Sequence, residues 1–364
     1  MEPLLSFLAA FITAIVIVGY SIPIIIKISV VKRLFDAPDG DRKIHKNLTP
    51  NLGGIAIFAG TIIAYLLWGV QFEMAREVRY FLSGIMLIFF IGIKDDLISV
   101  PPLKKLSIQI LAGILLILGD IRIHSLYQIF GIGQLPYWVS VALTLFVIIV
   151  IINAFNLIDG IDGLAAGLAF VMSGFYGFWF YMTGHNALAI LAASLAGACL
   201  AFLRFNFSKR RSLKTFMGDT GSMTIGLIMS LLSLEFIYFG NIVTDFQIKN
   251  APVIAIGVLI VPLFDTISVF AIRISQRRSP LSADKNHLHH RLLALGLNHM
   301  TTSIIMYLLT VVFIVYSMLL RNLNPTSHFL ILFFTGLIVL HFFPKVLGFF
   351  LKKTIANHTL TTPK

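Results

Sequence analysis

Residues 139–163 read Val139-Ser-Val-Ala-Leu-Thr-Leu-Phe-Val-Ile-Ile-Val-Ile-Ile-Asn153-Ala-Phe-Asn-Leu-Ile-Asp-Gly-Ile-Asp-Gly163. A nearly unbroken apolar run, close to the ~20 residues that cross a bilayer as a helix, ends in two carboxamides and two carboxylates spaced by three. Ionisable groups at membrane depth are costly and mark functional sites. The same juxtaposition recurs. Phe216-Met-Gly-Asp-Thr-Gly-Ser222 precedes an apolar run, Asp95-Asp96 ends another, and His287-Leu-His-His-Arg291 lies in a basic loop.

The rest of the chain fits an all-α integral membrane protein. Of 364 residues, 58% are hydrophobic and only 12% charged, about half the charge of a soluble domain. Hydropathy predicts about 11 transmembrane helices, near 4–29, 53–70, 79–93, 106–119, 136–153, 164–182, 186–203, 221–239, 251–271, 302–320 and 327–344. The ~10-residue alternating segments of a membrane β-barrel are absent. The first span follows Met1-Glu2-Pro3 without a basic leader and reads as a retained helix. Cys199 is the sole cysteine, so no intrachain disulfide forms. No repeat and no linker divides the chain, and residues 1–364 are taken as a single polytopic domain.

Orientation follows from the basic residues. With the 30–52 loop cytoplasmic, every Lys and Arg except Arg76, Arg79, Arg122, Lys249 and Arg321 falls inside. This predicts the N-terminus out, the C-terminus cytoplasmic, and all four polar blocks on the cytoplasmic side. Every Asp except Asp120 and Asp245 falls on or near that side as well, which suits a hard cation.

Each block has two readings. Asp95 and Asp96 can hold a divalent cation, or one can take a proton, with Lys105 returning across a short loop to phosphate oxygens. Equally, the pair can cap the next helix while Lys104 and Lys105 anchor it. Asn153, Asn156, Asp159 and Asp162 form a curving polar stripe, or a packing seam of the small-residue type. Around Asp219, backbone N–H groups suit an anion and the carboxylate suits a cation, though Asp219 also fits an N-cap. Phe216 can stack on a flat base or anchor at the interface. His287, His289 and His290 raise a zinc reading. With no cysteine nearby and so many Asp, Mg2+ or Mn2+ is favoured, and the histidines with Arg291 read as phosphate contacts or as a basic loop facing anionic lipid. Lys46, in the basic loop before Gly53-Gly54, can steer a nucleotide diphosphate.

Taken in order, the loop ending Thr49-Pro-Asn-Leu-Gly-Gly54, then Asp95-Asp96 with Lys105, then Asn153 to Leu164, Phe216 to Ser222 and His287 to Arg291 resemble the polyprenyl-phosphate N-acetylhexosamine-1-phosphate transferase superfamily. Asn-Leu-Ile-Asp-Gly-Ile-Asp-Gly-Leu and His-Leu-His-His-Arg look like its UDP-GlcNAc-using branch. The resemblance implies a multi-pass enzyme of the bacterial cytoplasmic membrane. Its reaction moves GlcNAc-1-phosphate from UDP-GlcNAc to undecaprenyl phosphate, releases UMP, requires Mg2+ (Mn2+ as the substitute), and starts a cell-surface polysaccharide. Its partners would be those two substrates and membrane lipids, not nucleic acid, with a homodimer left open.

Carried over residue by residue, the resemblance implies Asp219 as the principal Mg2+ ligand and Asn156 as a second. Lys105 would contact the pyrophosphate, and Asp159 and Phe216 would lie on the uridine side. Asp95 would be the base or phosphate-orienting group, and Asp96 would lie near the metal. Asp162 is a site residue, and His287, His289, His290 and Arg291 would contact the diphosphate and sugar. Relatives often have Pro-Ala after an Asn shortly before the Phe-Met-Gly-Asp block. Here Asn206 leads into Phe-Ser-Lys-Arg-Arg-Ser-Leu-Lys-Thr, so a uridine role is not carried onto it, and the extra cations suit a lipid head or an acidic membrane surface. Within the superfamily the alternative is the phospho-MurNAc-pentapeptide branch. Outside it, an ion-coupled transporter also has buried Asp and Asn, but its site would lie near the midplane.

Overall fold

The computed structural model describes residues 2–32, 34, 49–69, 75–242, 248–276 and 287–361. Its elements are α1 (Pro3–Lys32), α2 (Gly53–Trp68), α3 (Ala75–Leu97), α4 (Pro102–Leu118), β1 (Ser125–Ile129), β2 (Ile132–Gln134), α5 (Tyr137–Ile158), α6 (Leu164–Met182), α7 (Asn186–Asn206), α8 (Gly218–Gly240), α9 (Ala251–Val258), α10 (Ile260–Ser275), α11 (Leu288–Leu293), α12 (His299–Leu319) and α13 (Pro325–Thr361).

The chain is a multi-pass, helical membrane protein. Among the described residues, α1, α5, α6, α7, α8, α12 and α13 are each long and apolar enough to cross a bilayer, and the bent pair α9–α10 adds an eighth. Every one of the eleven expected spans is helical, but three fall short of that standard. α2 has 16 residues and α4 has 17, while α3 carries charge at both ends. The expected 251–271 span is bent by 74° between α9 and α10. Pro262 explains the break: it has no N–H to offer the Val258 carbonyl and its ring crowds that oxygen. The antiparallel β1–β2 hairpin was not expected in an all-α chain; the stretch reads as an interhelical loop, and its strands have only 5 and 3 residues. Thr326 at the start of α13 accepts from Phe130 N at 2.8 Å and holds the hairpin tip.

Helix α8 is the axis of the bundle. It packs against α2, α3, α5, α6 and α9, and nearly every residue from Thr220 to Phe236 is buried. Its small and hydroxylated residues explain how so many neighbours approach. Ser222, Ser230 and Ser233 return their hydroxyls to carbonyls four residues earlier, at 3.1, 2.8 and 2.7 Å, so polar groups are satisfied within the helix. Helix α7 supplies a second small-residue surface, with Gly197 against the backbone of Phe11 in α1. Lipid-side faces stay apolar: α1 buries Ala10, Ala14, Val18 and Ile22 while Leu8, Ile12, Val16 and Tyr20 face outward.

A Cβ on Gly226 of α8 would sit 2.6 Å from Ile152 Cα in α5, a contact with backbone that cannot move aside. Gly226→Val should therefore cost about 3 kcal/mol by overpacking and lower the melting temperature in detergent. Gly174→Val, where no atom lies within 4 Å, should leave it unchanged.

Candidate active site

The site forms where the start of α8 meets the ends of α3, α4 and α5. Two backbone contacts fix the approach. A Cβ on Gly92 of α3 would lie 2.5 Å from Thr220 Cα. One turn further along α3, on the same face, Asp96 therefore reaches the α8 N-terminus. It accepts from Asp219 N at 2.7 Å, Thr220 N at 3.0 Å and Thr220 Oγ1 at 2.5 Å, so a neighbouring helix supplies the cap for α8. Gly218 makes the turn before it at φ +71, and a side chain there would meet Asn51 O and both Asp96 oxygens. Residues 50–54 run alongside 215–217, joined by Phe216 N to Pro50 O, Gly53 N to Phe216 O and Gly54 N to Met217 O at 2.8, 3.0 and 2.8 Å.

With α8 so placed, Lys105 from the first turn of α4 lies between two carboxylates. It donates to Asp219 Oδ2 at 2.5 Å and forms an ion pair with Asp95 Oδ2. Asp95 Oδ1 accepts from Val100 N at 2.6 Å. Asn156 Nδ2 donates to Asp219 Oδ1 and to Ser222 Oγ, each at 3.0 Å. One helical turn back, Asn153 Nδ2 bonds Gln109 Oε1 at 2.8 Å and links α5 to α4. The polar stripe on α5 thus faces the α8 N-terminus.

Beyond the last turn of α5, the 159–163 loop carries Asp159 and Asp162 to different neighbours. Burial, then the charges of Asp219, Asp96 and Asp162, push the Asp159 carboxyl up to about 7. Asp162 Oδ2 pairs with Lys214 Nζ at 2.6 Å and lies 3.4 Å from His299 Nδ1. The loop is held by Asn206, whose Oδ1 accepts from Gly163 N while its Nδ2 donates to Thr215 O at 2.8 Å. Asn206 is buried and joins the 159–163 and 215–219 segments. Phe216 is 41% exposed, with Lys214 Nζ 5.6 Å from its ring centre.

The histidine block is adjacent to this loop. A Cβ on Gly160 would lie 2.6 Å from His289 Nε2. His289 is buried, neither ring nitrogen has a hydrogen-bond partner, and burial lowers it to about 4, so the ring is neutral near pH 7. His290 stacks at a tilt on His289, 4.3 Å between ring centres. His287 Nδ1 meets Asp265 Oδ2 at 2.9 Å. Arg291 turns away from the carboxylates and donates to Leu340 O at 3.5 Å and His341 O at 2.5 Å. Pro344, inside α13, has no N–H for the Leu340 carbonyl, and the guanidinium takes that place. Lys46 lies outside the described residues.

The structure therefore brings Asp95, Asp96, Lys105, Asn156, Asp159 and Asp219 together. Asp162 and Phe216 lie on the Lys214 side, and the histidines lie across Gly160. Lys214, His299, Gln109 and Asp265 join the cluster without a sequence motif to point to them. Lys214 sits in a run of cations, and His299 and Asp265 are isolated in sequence. The donors around Lys105 are carboxylate and carboxamide oxygens, the hard set that Mg2+ takes, and a cation already lies among them as the ammonium. The residues fit a divalent ion.

A cavity of about 900 Å3 opens from this cluster. Lys105, Asn153 and Asn156 line its polar end. Leu143, Phe146, Val150, Phe329, Phe333 and the hairpin's Ile129 and Phe130 line the remainder. Along α5 the lining runs from Leu143 to Leu157, roughly 20 Å at the helical rise.

Ionisation of Asp159 in the folded protein, resisted up to about pH 7, occurs near pH 4 in an unfolded chain. The associated stability is present at low pH and is lost as pH rises through 7. The wild-type melting temperature should fall between pH 5.5 and 8 more than that of Asp159→Asn, and Mg2+ should raise it more at pH 8 than at pH 6. Parallel slopes for the two proteins would contradict this.

Comparison with known proteins agrees with this architecture. The sequence profile of glycosyl transferase family 4 matches residues 78–237, which contain the α3, α4, α5 and α8 contributions. A probable undecaprenyl-phosphate N-acetylglucosaminyl 1-phosphate transferase of Bacillus subtilis is 32% identical over 88% of this chain and 87% of its own. The decaprenyl-phosphate N-acetylglucosaminephosphotransferase of Mycolicibacterium smegmatis is 35% identical over 74% and 71%. The undecaprenyl-phosphate alpha-N-acetylglucosaminyl 1-phosphate transferase of Yersinia pestis is 32% identical over 74% and 72%. The chain belongs to glycosyl transferase family 4, within the polyprenyl-phosphate N-acetylhexosamine-1-phosphate transferase superfamily, and is a membrane phosphoglycosyltransferase.

Proposed function

We propose that this enzyme transfers GlcNAc-1-phosphate from UDP-GlcNAc to undecaprenyl phosphate at the cytoplasmic face of a bacterial inner membrane, with release of UMP. The observation that carries this reading is the join between the Lys105 cluster and one end of a long apolar cavity. A ligand matching both is an anionic headgroup on a hydrocarbon tail of polyprenyl kind. The basic residues on the same side, and the substrates in the relatives' names, support the cytoplasmic placement and the GlcNAc donor.

In the proposed reaction an oxygen of the lipid phosphate attacks the sugar-bearing phosphorus of the nucleotide sugar. A new P–O bond forms and the bond from that phosphorus to the bridging oxygen breaks, so UMP departs with the electron pair. The lipid phosphate is already ionised at neutral pH, so positioning and charge compensation matter more than a strong base. Asp219 and Asn156 would hold Mg2+, which when bound neutralises phosphoryl charge. Lys105 exchanges its carboxylate partners for phosphate oxygens. Asp95, oriented by Val100 N, sets the lipid phosphate in line, and Asp96 keeps the α8 N-terminus facing the anions. Phe216 and Asp159 would face the nucleoside, and the histidine block the diphosphate and sugar. Arg291 acts by holding α11 to α13.

Purified protein in detergent should release UMP from UDP-GlcNAc only with undecaprenyl phosphate and Mg2+ present. Asp219→Asn and Lys105→Ala should each reduce the rate by roughly 100-fold or more. Val150→Trp, inside the cavity, should raise KM for the lipid and leave KM for the sugar nucleotide unchanged. Release from UDP-GalNAc or UDP-MurNAc-pentapeptide in preference to UDP-GlcNAc would reassign the donor, and no release with any donor would overturn the reading.

A further inference from the structure

A buried carboxylate outside the chemistry above lies beside the histidine block. Asp265 lies in the first turns of α10, past the bend at Pro262, and is 4% exposed among apolar neighbours. A carboxylate in such surroundings is costly unless both oxygens are hydrogen-bonded. Here both are, and the partners are the first residue of α11 and the cap residue just before it. Oδ1 accepts from Leu288 N at 2.6 Å, and Oδ2 meets His287 Nδ1 at 2.9 Å.

These contacts have two consequences. Leu288 opens α11, and the cap residue His287 makes no side-chain cap bond of its own. A membrane helix therefore supplies the first-turn acceptor that the local sequence lacks. A carboxylate facing Nδ1 also holds the proton on that nitrogen, which leaves the Nε2 lone pair as the acceptor of the ring. The position of α11 then sets His289 against Gly160, in the loop that carries Asp159 and Asp162.

Ligand atoms of Asp265, His287 and His289 fall within 4.8 Å of one another, a spacing that also invites a zinc reading. Bonds of 2.0–2.1 Å at tetrahedral angles would hold two ligands about 3.3 Å apart. The 2.9 Å between His287 Nδ1 and Asp265 Oδ2 is instead a hydrogen-bond length, and His289 Nδ1 stands off at 3.9 Å.

We propose that Asp265 is a positioning residue for the nucleotide-sugar half of the site: it seats α11 and sets the tautomer of His287 without touching substrate. The inference rests on the transferase reading above, in which α11 contacts the diphosphate and sugar. Asp265→Asn separates the two functions. Its amide oxygen can still accept from Leu288 N, but its NH2 then faces His287 Nδ1, which must accept and move its proton to Nε2. Asp265→Ser, neutral and with a hydroxyl acceptor, is measured in parallel so that a folded variant is in hand.

The experiment is steady-state kinetics on the full chain in detergent, with both substrates varied, for wild type, each Asp265 variant, His287→Ala and the double variants, alongside melting temperatures. KM for UDP-GlcNAc should rise roughly 10-fold or more in the Asp265 variants, with KM for undecaprenyl phosphate within about twofold of wild type. In the His287→Ala background the Asp265 change should add less than about twofold, the mark of residues acting as a unit. A full multiplicative loss in that background, an equal rise in both KM values, or an unchanged donor KM in a folded variant would overturn the proposal while leaving the transferase intact. Absence of turnover by wild type with any UDP-sugar would overturn both.

Discussion

The architecture depends on crowding of like charge at the α8 N-terminus. Asp95, Asp96, Asp159 and Asp219 converge there, and Lys105 is the cation that bridges two of them. In a low-dielectric setting such a group is tolerable only if each carboxylate has fixed donors or a counter-ion. Asp96 has the backbone N–H groups of Asp219 and Thr220, Asp95 has Val100 N and Lys105, and Asp219 has Lys105 and Asn156. Asp159 lies beside them on the loop, and burial first, then the charges of Asp219, Asp96 and Asp162, raise its pKa to about 7. A site in this condition has a standing affinity for positive charge. That is the property needed to bring two phosphate-bearing substrates together in the presence of a divalent ion.

Close backbone approaches make the crowding geometrically definite. Gly92 lets α3 rest on the start of α8, and Gly226 lets α5 rest on its middle. The carboxylates are thus carried by rigid helices, and only Asp159 and Asp162 sit on a loop. Asn206 pins that loop to the segment leading into α8, and Tyr307 donates to Gly163 O from α12. Positioning to a fraction of an ångström matters because phosphoryl transfer gains mostly from alignment and electrostatics.

The helices were legible because the bilayer enforces length and apolarity, and each expected span coincides with helix. The chemical clusters were legible for a related reason: Asp95, Asp159 and Asp219 stand out at the ends of oily runs, where a carboxylate has no packing role. What sequence could not assign was the partner of each group. Asp96 and Asp219 are both acids in the same region, yet one caps α8 from another helix and the other faces Lys105 and Asn156. The difference is set by where α3 crosses α8, a tertiary fact. Arg291 reads as a phosphate contact beside three histidines, but it answers a carbonyl freed by Pro344, some fifty residues away. The hairpin was missed because two strands of 5 and 3 residues leave almost no periodic signal, and the bend between α9 and α10 was missed because hydropathy is continuous across Pro262.

In the proposed assignment the two halves of the site are built differently. On the lipid side the cavity walls are rigid transmembrane helices, and selectivity can rest on apolar contact along roughly 20 Å, with Lys105 and Asn156 at its head. On the nucleotide side the surfaces come from short segments: the 159–163 loop, the 215–218 stretch and the six-residue α11. A helix that short has little stability of its own. Its place must be imposed from outside, by Asp265 of α10 at one end and by the α13 carbonyls that Arg291 reaches at the other. In that assignment the nucleotide half takes its shape from tertiary contacts between short segments, whereas the lipid half takes its shape from the long helices themselves.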